Sequence, residues 1–135
     1  MKKNTLLLFV TLLLTAFGYS QNLDCSRFKE GTFKFTDPAS KKVCIIKRTG
    51  NIQTEKMEDA EEVYDFDLVW IDNCTYTLSP TAATAARNKE VLKAGTMTVK
   101  ITKVKETSYI QHVKVANNPK FRRIDEVFLV EAAGK

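Results

Sequence analysis

The sequence predicts a mainly β fold: an antiparallel meander of about eight strands, closed or partly closed into a small lipocalin-like barrel, with at most one short helix. Three observations carry this expectation. Apolar and polar residues alternate along most of the chain, the period of a half-buried strand. The alternating segments are separated by short runs rich in Gly, Asn, Asp and Lys. Such short turns join antiparallel neighbours, because a parallel crossover needs a dozen residues or more. A meander of that many strands must also hide its edges, and closing on itself does so. A two-sheet sandwich is the second architecture that fits.

In chain order, Gly31-Thr32-Phe33-Lys34-Phe35 sets Phe33 and Phe35 on one face. Val43 to Arg48 is a short apolar strand, Thr49-Gly50-Asn51 supplies turn chemistry, and Ile52 to Met57 returns antiparallel. Glu62 to Ile71 puts Tyr64, Phe66, Leu68 and Trp70 on one face and Asp65 and Asp67 on the other. Asp72-Asn73 makes a tight turn, after which Cys74, Tyr76 and Leu78 continue the inward set. Ser79 to Ala94 breaks the pattern. Its alanine-rich part opens a short helix with Ser79 as N-cap and Pro80 at the first helical position, or else forms a long loop. Met97, Val99 and Ile101 alternate with Thr and Lys; Tyr109 to Val115 follows the turn at Lys105-Glu106-Thr107. After a turn at Asn117-Asn118-Pro119, Phe121 to Val130 is the last strand and Ala132 to Lys135 a frayed tail.

Met1 to Ser20 reads as a secretory signal peptide: Lys2 and Lys3 precede the leucine-rich stretch Leu6 to Phe17, and Gly18 and Ser20 are small residues before a cut at Gln21. Residues 21–135 are then a single exported β-domain, periplasmic or secreted, with no transmembrane segment left after cleavage. Removing Lys2 and Lys3 takes the 21 basic residues to 19, against 16 acidic. Acidic residues concentrate between Glu55 and Asp72 and basic ones between Arg87 and Arg123. Strand-to-strand complementarity accounts for this asymmetry; the other reading is a basic face for an anionic partner.

An exporting compartment is oxidising, so cysteines tend to pair. Three pairings of Cys25, Cys44 and Cys74 are possible. Cys44 sits in the apolar run Val43-Cys44-Ile45-Ile46, where it behaves as a small hydrophobe, whereas Cys25 and Cys74 stand at element edges. Cys25–Cys74 is therefore the expected disulfide.

Most familiar chemistry has no spacing to support it. His112 is the chain's one histidine and alternates with Lys114, so it reads as a structural side chain rather than a catalytic base. Glu55, Glu58, Asp59, Glu61, Glu62, Asp65 and Asp67 read as solvated carboxylates at a turn and on a strand's outer face. No P-loop, dinucleotide fingerprint or zinc-ligand spacing occurs. No catalytic residue, cofactor or metal ion is expected. Lys100, Lys103, Lys105, Arg122 and Arg123 with Tyr109 and Phe121 would suit a nucleic-acid surface, but export argues against that partner.

The informative set is aromatic. Phe33, Phe35, Tyr64, Phe66, Trp70, Tyr76, Tyr109 and Phe128 fall mostly on inward phases, where they either fill a small barrel or line a pocket for an apolar ligand.

The pattern Cys25-x-x-Phe28-x-x-Gly31-x-Phe33, with Ile46-x-Arg48, Gln53-x-Glu55, Trp70-x-x-x-Cys74-x-Tyr76-x-Leu78 and Gly95 to Ile101 followed by Tyr109, resembles a family of small secreted bacterial proteins of unknown function. That resemblance implies the same Cys25–Cys74 pairing and leaves Cys44 as a free thiol. Some members carry the label DNA topoisomerase IV, which an exported domain without an ATPase site contradicts. Gly31-Thr32-Phe33 is also similar to the G-x-W motif that opens lipocalin-like barrels, with Phe in place of Trp. The expected function is a non-enzymatic exported β-domain binding a small apolar ligand in its interior. The alternative is an envelope protein-interaction module that docks an envelope protein through a basic C-terminal face.

Overall fold

The alternating segments become eight strands joined in one closed antiparallel barrel in sequence order. They are β1 Gly31–Thr36, β2 Val43–Thr49, β3 Ile52–Met57, β4 Val63–Trp70, β5 Thr75–Pro80, β6 Met97–Val104, β7 Ser108–Val115 and β8 Asn118–Ala132. The computed structural model describes residues 23–133, so the expected signal segment lies outside the described residues. Closure comes from β1 pairing with β8, Phe33 opposite Leu129, across a register shift between Thr32 and Phe33. Gly31 sits there at φ +129°, and a Cβ would come within 2.8 Å of the Glu131 carbonyl oxygen, so this strand start accepts only glycine without strain.

One end of the barrel is plugged. A 3-10 turn, Ser26–Phe28, drives the fully buried Phe28 ring against Tyr109 and Phe33, at centroid distances of 5.0 and 6.3 Å. Arg27 ties this turn to the β6–β7 connection through the carbonyls of Lys105 and Glu106. The Cys25–Cys74 disulfide fastens it to the β4–β5 connection. Cys44 is free and buried on the inner face of β2.

The other end is the mouth, crossed by the β5–β6 connection. Its helix α1, Ala82–Arg87, starts two residues later than expected: Thr81, not Ser79, is the N-cap, its hydroxyl accepting from the Thr84 amide. Pro80 instead ends β5 opposite Phe66. The buried Thr84 hydroxyl accepts from the Asp65 amide at 2.9 Å and Arg87 donates to the Val63 carbonyl, so α1 docks on the start of β4. On the far side the Asn117 amide donates to the Ala94 carbonyl and its side chain to that of Lys93, latching the connection to the β7–β8 turn.

That turn is Ala116-Asn117, starting one residue before the expected proline turn, so Asn118 and Pro119 already belong to β8. The phase of β8 is a second correction. Asp125 and Val127 are buried, while Ile124, Phe128 and Val130 face outward. Phe128, expected to line the interior, is 43% exposed.

Candidate functional site at the barrel mouth

The interior is less apolar than the alternation suggested. Two apolar clusters fill much of it, one including Phe28, Phe33, Ile46 and Tyr109, the other Phe66, Leu68, Tyr76 and Val99. Threaded through them is a chain of polar side chains from β2, β3, β5, β7 and β8. Each occupies the inner phase of its strand, because the register sets Arg48 opposite Gln53, Gln111 opposite Asp125, and Arg123 opposite Val113.

Arg48 is the hub and is fully buried. Its Nε donates to Gln53 Oε1 at 2.7 Å and Nη1 to the Phe28 carbonyl at 2.8 Å. Nη2 donates to the hydroxyls of Tyr76 and Tyr109, both at 2.6 Å. The guanidinium also lies 4.7 Å from the Phe33 ring centroid and 4.8 Å from that of Tyr76, a cation–π setting. Burial opposes the charge, but the two phenols and Glu55 outweigh it and hold Arg48 above its ordinary pKa. Burial pushes the Tyr76 phenol well above its usual range, so it stays a neutral hydroxyl.

From this hub the chain runs both ways toward the mouth. Gln53 Nε2 donates to Glu55 Oε1 at 2.8 Å. On the other side Tyr76 donates to Gln111, Gln111 Nε2 donates to Asp125 Oδ2 at 3.2 Å, and Arg123 Nε donates to the same oxygen at 2.9 Å. The Asp125 side chain is 2% exposed, and its Oδ1 is the one buried side-chain nitrogen or oxygen among the described residues with no hydrogen-bond partner.

Above this floor is a cavity of about 340 Å³, walled by residues that include Phe35, Met57, Tyr64, Phe66 and Met97, with Cys44, Glu55 and Arg123 among its lining. Val91 and Ala94 of the crossing segment form part of its roof. A second hollow of about 370 Å³ shares Ala94, Met97 and Arg123 and continues along Val113 and Phe121. Two hollows of about 530 Å³ lie instead at the closed end, around its turns and the 3-10 segment. Burial, with Glu55 adding to it, pushes the Cys44 thiol up to about 12, so it sits in the wall as a protonated, weakly reactive group. Burial likewise raises the Glu55 carboxyl above its usual range, against the opposing pull of Gln53, Arg123 and Arg48.

Of the aromatic side chains expected to line a pocket, Phe35, Tyr64 and Phe66 do so. Phe33, Tyr76 and Tyr109 are buried lower down, around the Arg48 guanidinium. Trp70 lies toward the closed end, 4.7 Å from Tyr76 by ring centroid and under the Lys29 ammonium. Phe128 is on the outer wall. Two sequence expectations are corrected here. Glu55, grouped with solvated carboxylates, lines the cavity, and Arg123, grouped with a basic surface, faces inward above Asp125. His112 is exposed on the outer wall. No family model, curated protein or solved structure matches the chain.

Proposed function

We propose that this chain is an exported, non-enzymatic binding protein whose barrel mouth takes a small amphipathic ligand. The observation that carries the reading is the cavity of about 340 Å³ between an aromatic wall and a floor that bears Glu55 and Arg123. Binding pockets combine mostly apolar walls with a few convergent polar groups, which is the composition found here. The purely apolar ligand expected from the aromatic set is thereby revised toward one with a polar head. Export is supported by the Cys25–Cys74 disulfide. The likeness to small secreted bacterial proteins and to lipocalin-like barrels belongs to the same reading.

The test is native mass spectrometry of the mature protein taken unreduced from its own secretory compartment. The expected result is a mass beginning at Gln21, two hydrogens light, carrying a non-covalent adduct that is lost on unfolding. A bare mass, together with no rise in melting temperature on adding medium-chain amphiphiles, would overturn it.

A docking role has its own observation. Lys100, His112 and Lys114 are exposed on the outer wall of β6 and β7, beside the exposed Ile124 and Phe128. Capture of an acidic partner that is released by salt would favour this reading.

A further inference from the structure

We infer that the mouth selects ligands with a protonated amine head, received at Glu55 beside the Asp125–Arg123 pair, and a hydrocarbon tail lying along Phe35, Tyr64, Phe66 and Met97. This rests on the reading of the mouth as a binding site and names its ligand class.

The argument begins with charge. The charged residues lining the cavity are Asp37, Glu55 and Arg123, and Asp125 lies directly against Arg123. Three carboxylates therefore meet one guanidinium. Arg123 is itself engaged, its Nε held by Asp125 Oδ2 and its guanidinium 5.3 Å from the Phe35 ring centroid. Arg48 is out of a ligand's reach, fully buried and bonded to two phenols, one amide and one carbonyl. An anionic head would find its only available cation already paired.

One acceptor, by contrast, lacks any donor, and a second carboxyl lacks a cation. Asp125 Oδ1 is buried with no partner. Glu55 accepts from Gln53 at Oε1, and among the described residues no cation stands in ion-pair contact with it. An ammonium carries three donors and no acceptor, which suits a pair of carboxylates better than a hydroxyl, with its single donor, does. The aromatic wall adds π faces that attract a cation, and its apolar area accommodates the tail. A carboxylate head would meet Glu55 and Asp125 as like charges.

The test compares three probes with one tail: octylamine, octan-1-ol and octanoate. Each is titrated into the disulfide-intact mature protein by calorimetry, with the rise in melting temperature as a second readout. Octylamine is expected to bind roughly tenfold or more tighter than octanol, the scale of a charge-assisted hydrogen bond, with octanoate weakest. Glu55→Gln is expected to abolish the amine's advantage over octanol. Asp125→Asn provides the same comparison if the first variant melts early. Octanol or octanoate binding as tightly as octylamine overturns the amine head and leaves mouth binding standing. No binding by any probe, with no rise in melting temperature, overturns both.

Discussion

Replacing Arg48 with Met removes a charge, but the larger effect comes from what it leaves behind. The Phe28 carbonyl and Gln53 Oε1 both lose their Arg48 donor in the barrel interior. Each such stranded acceptor costs about 1–3 kcal/mol. The hydroxyls of Tyr76 and Tyr109 lose a donor too, though Tyr76 keeps Gln111 as its acceptor. Met fills a similar volume, so the cavity contribution is small and the sum is about 3–5 kcal/mol, the range seen when one member of a buried charged network is removed. That is a large part of the ~5–15 kcal/mol a domain has. Arg48→Lys keeps the charge but offers three donors to four acceptors in a compact head, and should cost about 2 kcal/mol. Urea unfolding without reductant, followed by Trp70 fluorescence and far-ultraviolet circular dichroism, measures both. Tyr76→Phe should also cost less in the Arg48→Met background than in the wild type, because its bond to Arg48 is already gone. A Met variant within about 1 kcal/mol of wild type, with unchanged denaturant dependence, would refute the view of Arg48 as the hub of the interior.

Removing the disulfide by Cys25→Ala with Cys74→Ala opens a loop of sequence separation 49 and should cost about 4 kcal/mol by chain entropy, read as a lower urea midpoint. Gly31→Ala meets both a positive φ and the Glu131 carbonyl oxygen at 2.8 Å, and should lose about 1–3 kcal/mol in the same assay. Glu55 has a native pKa raised by burial above its ordinary 4.5. The stability linked to its protonated form is complete below 4.5 and fades as pH rises through the raised native value. Glu55→Gln should therefore match the wild type in acid and gain on it as pH climbs through that window, seen by comparing unfolding at several pH values. An advantage that shrinks as pH rises would contradict the assigned direction.

The strands, the plugged disulfide and the buried thiol were legible because each depends on local chemistry: alternation, turn residues, and an apolar run around Cys44. The polar interior was not, although its phase was present. Gln53 and Glu55 fall in step with Met57, and Arg48 with Ile46 and Cys44. A rule that sends charge outward discards that information. On β8 the rule fails in both directions, since Arg123 and Asp125 share a phase with Val127, while Arg122 and Glu126 share one with Ile124 and Phe128. Apolar content alone favours the wrong face. What decides is the partner across the strand: Gln111 stands opposite Asp125 and donates to it, so turning β8 over would strand a buried amide. None of these side chains is stable inside without the others. Arg48 is acceptable there because hydroxyls 28 and 61 residues further along the chain arrive at the same nitrogen. Such a constellation is encoded by register rather than by spacing. It follows that a mouth bearing inward carboxylates becomes visible only once the barrel has closed.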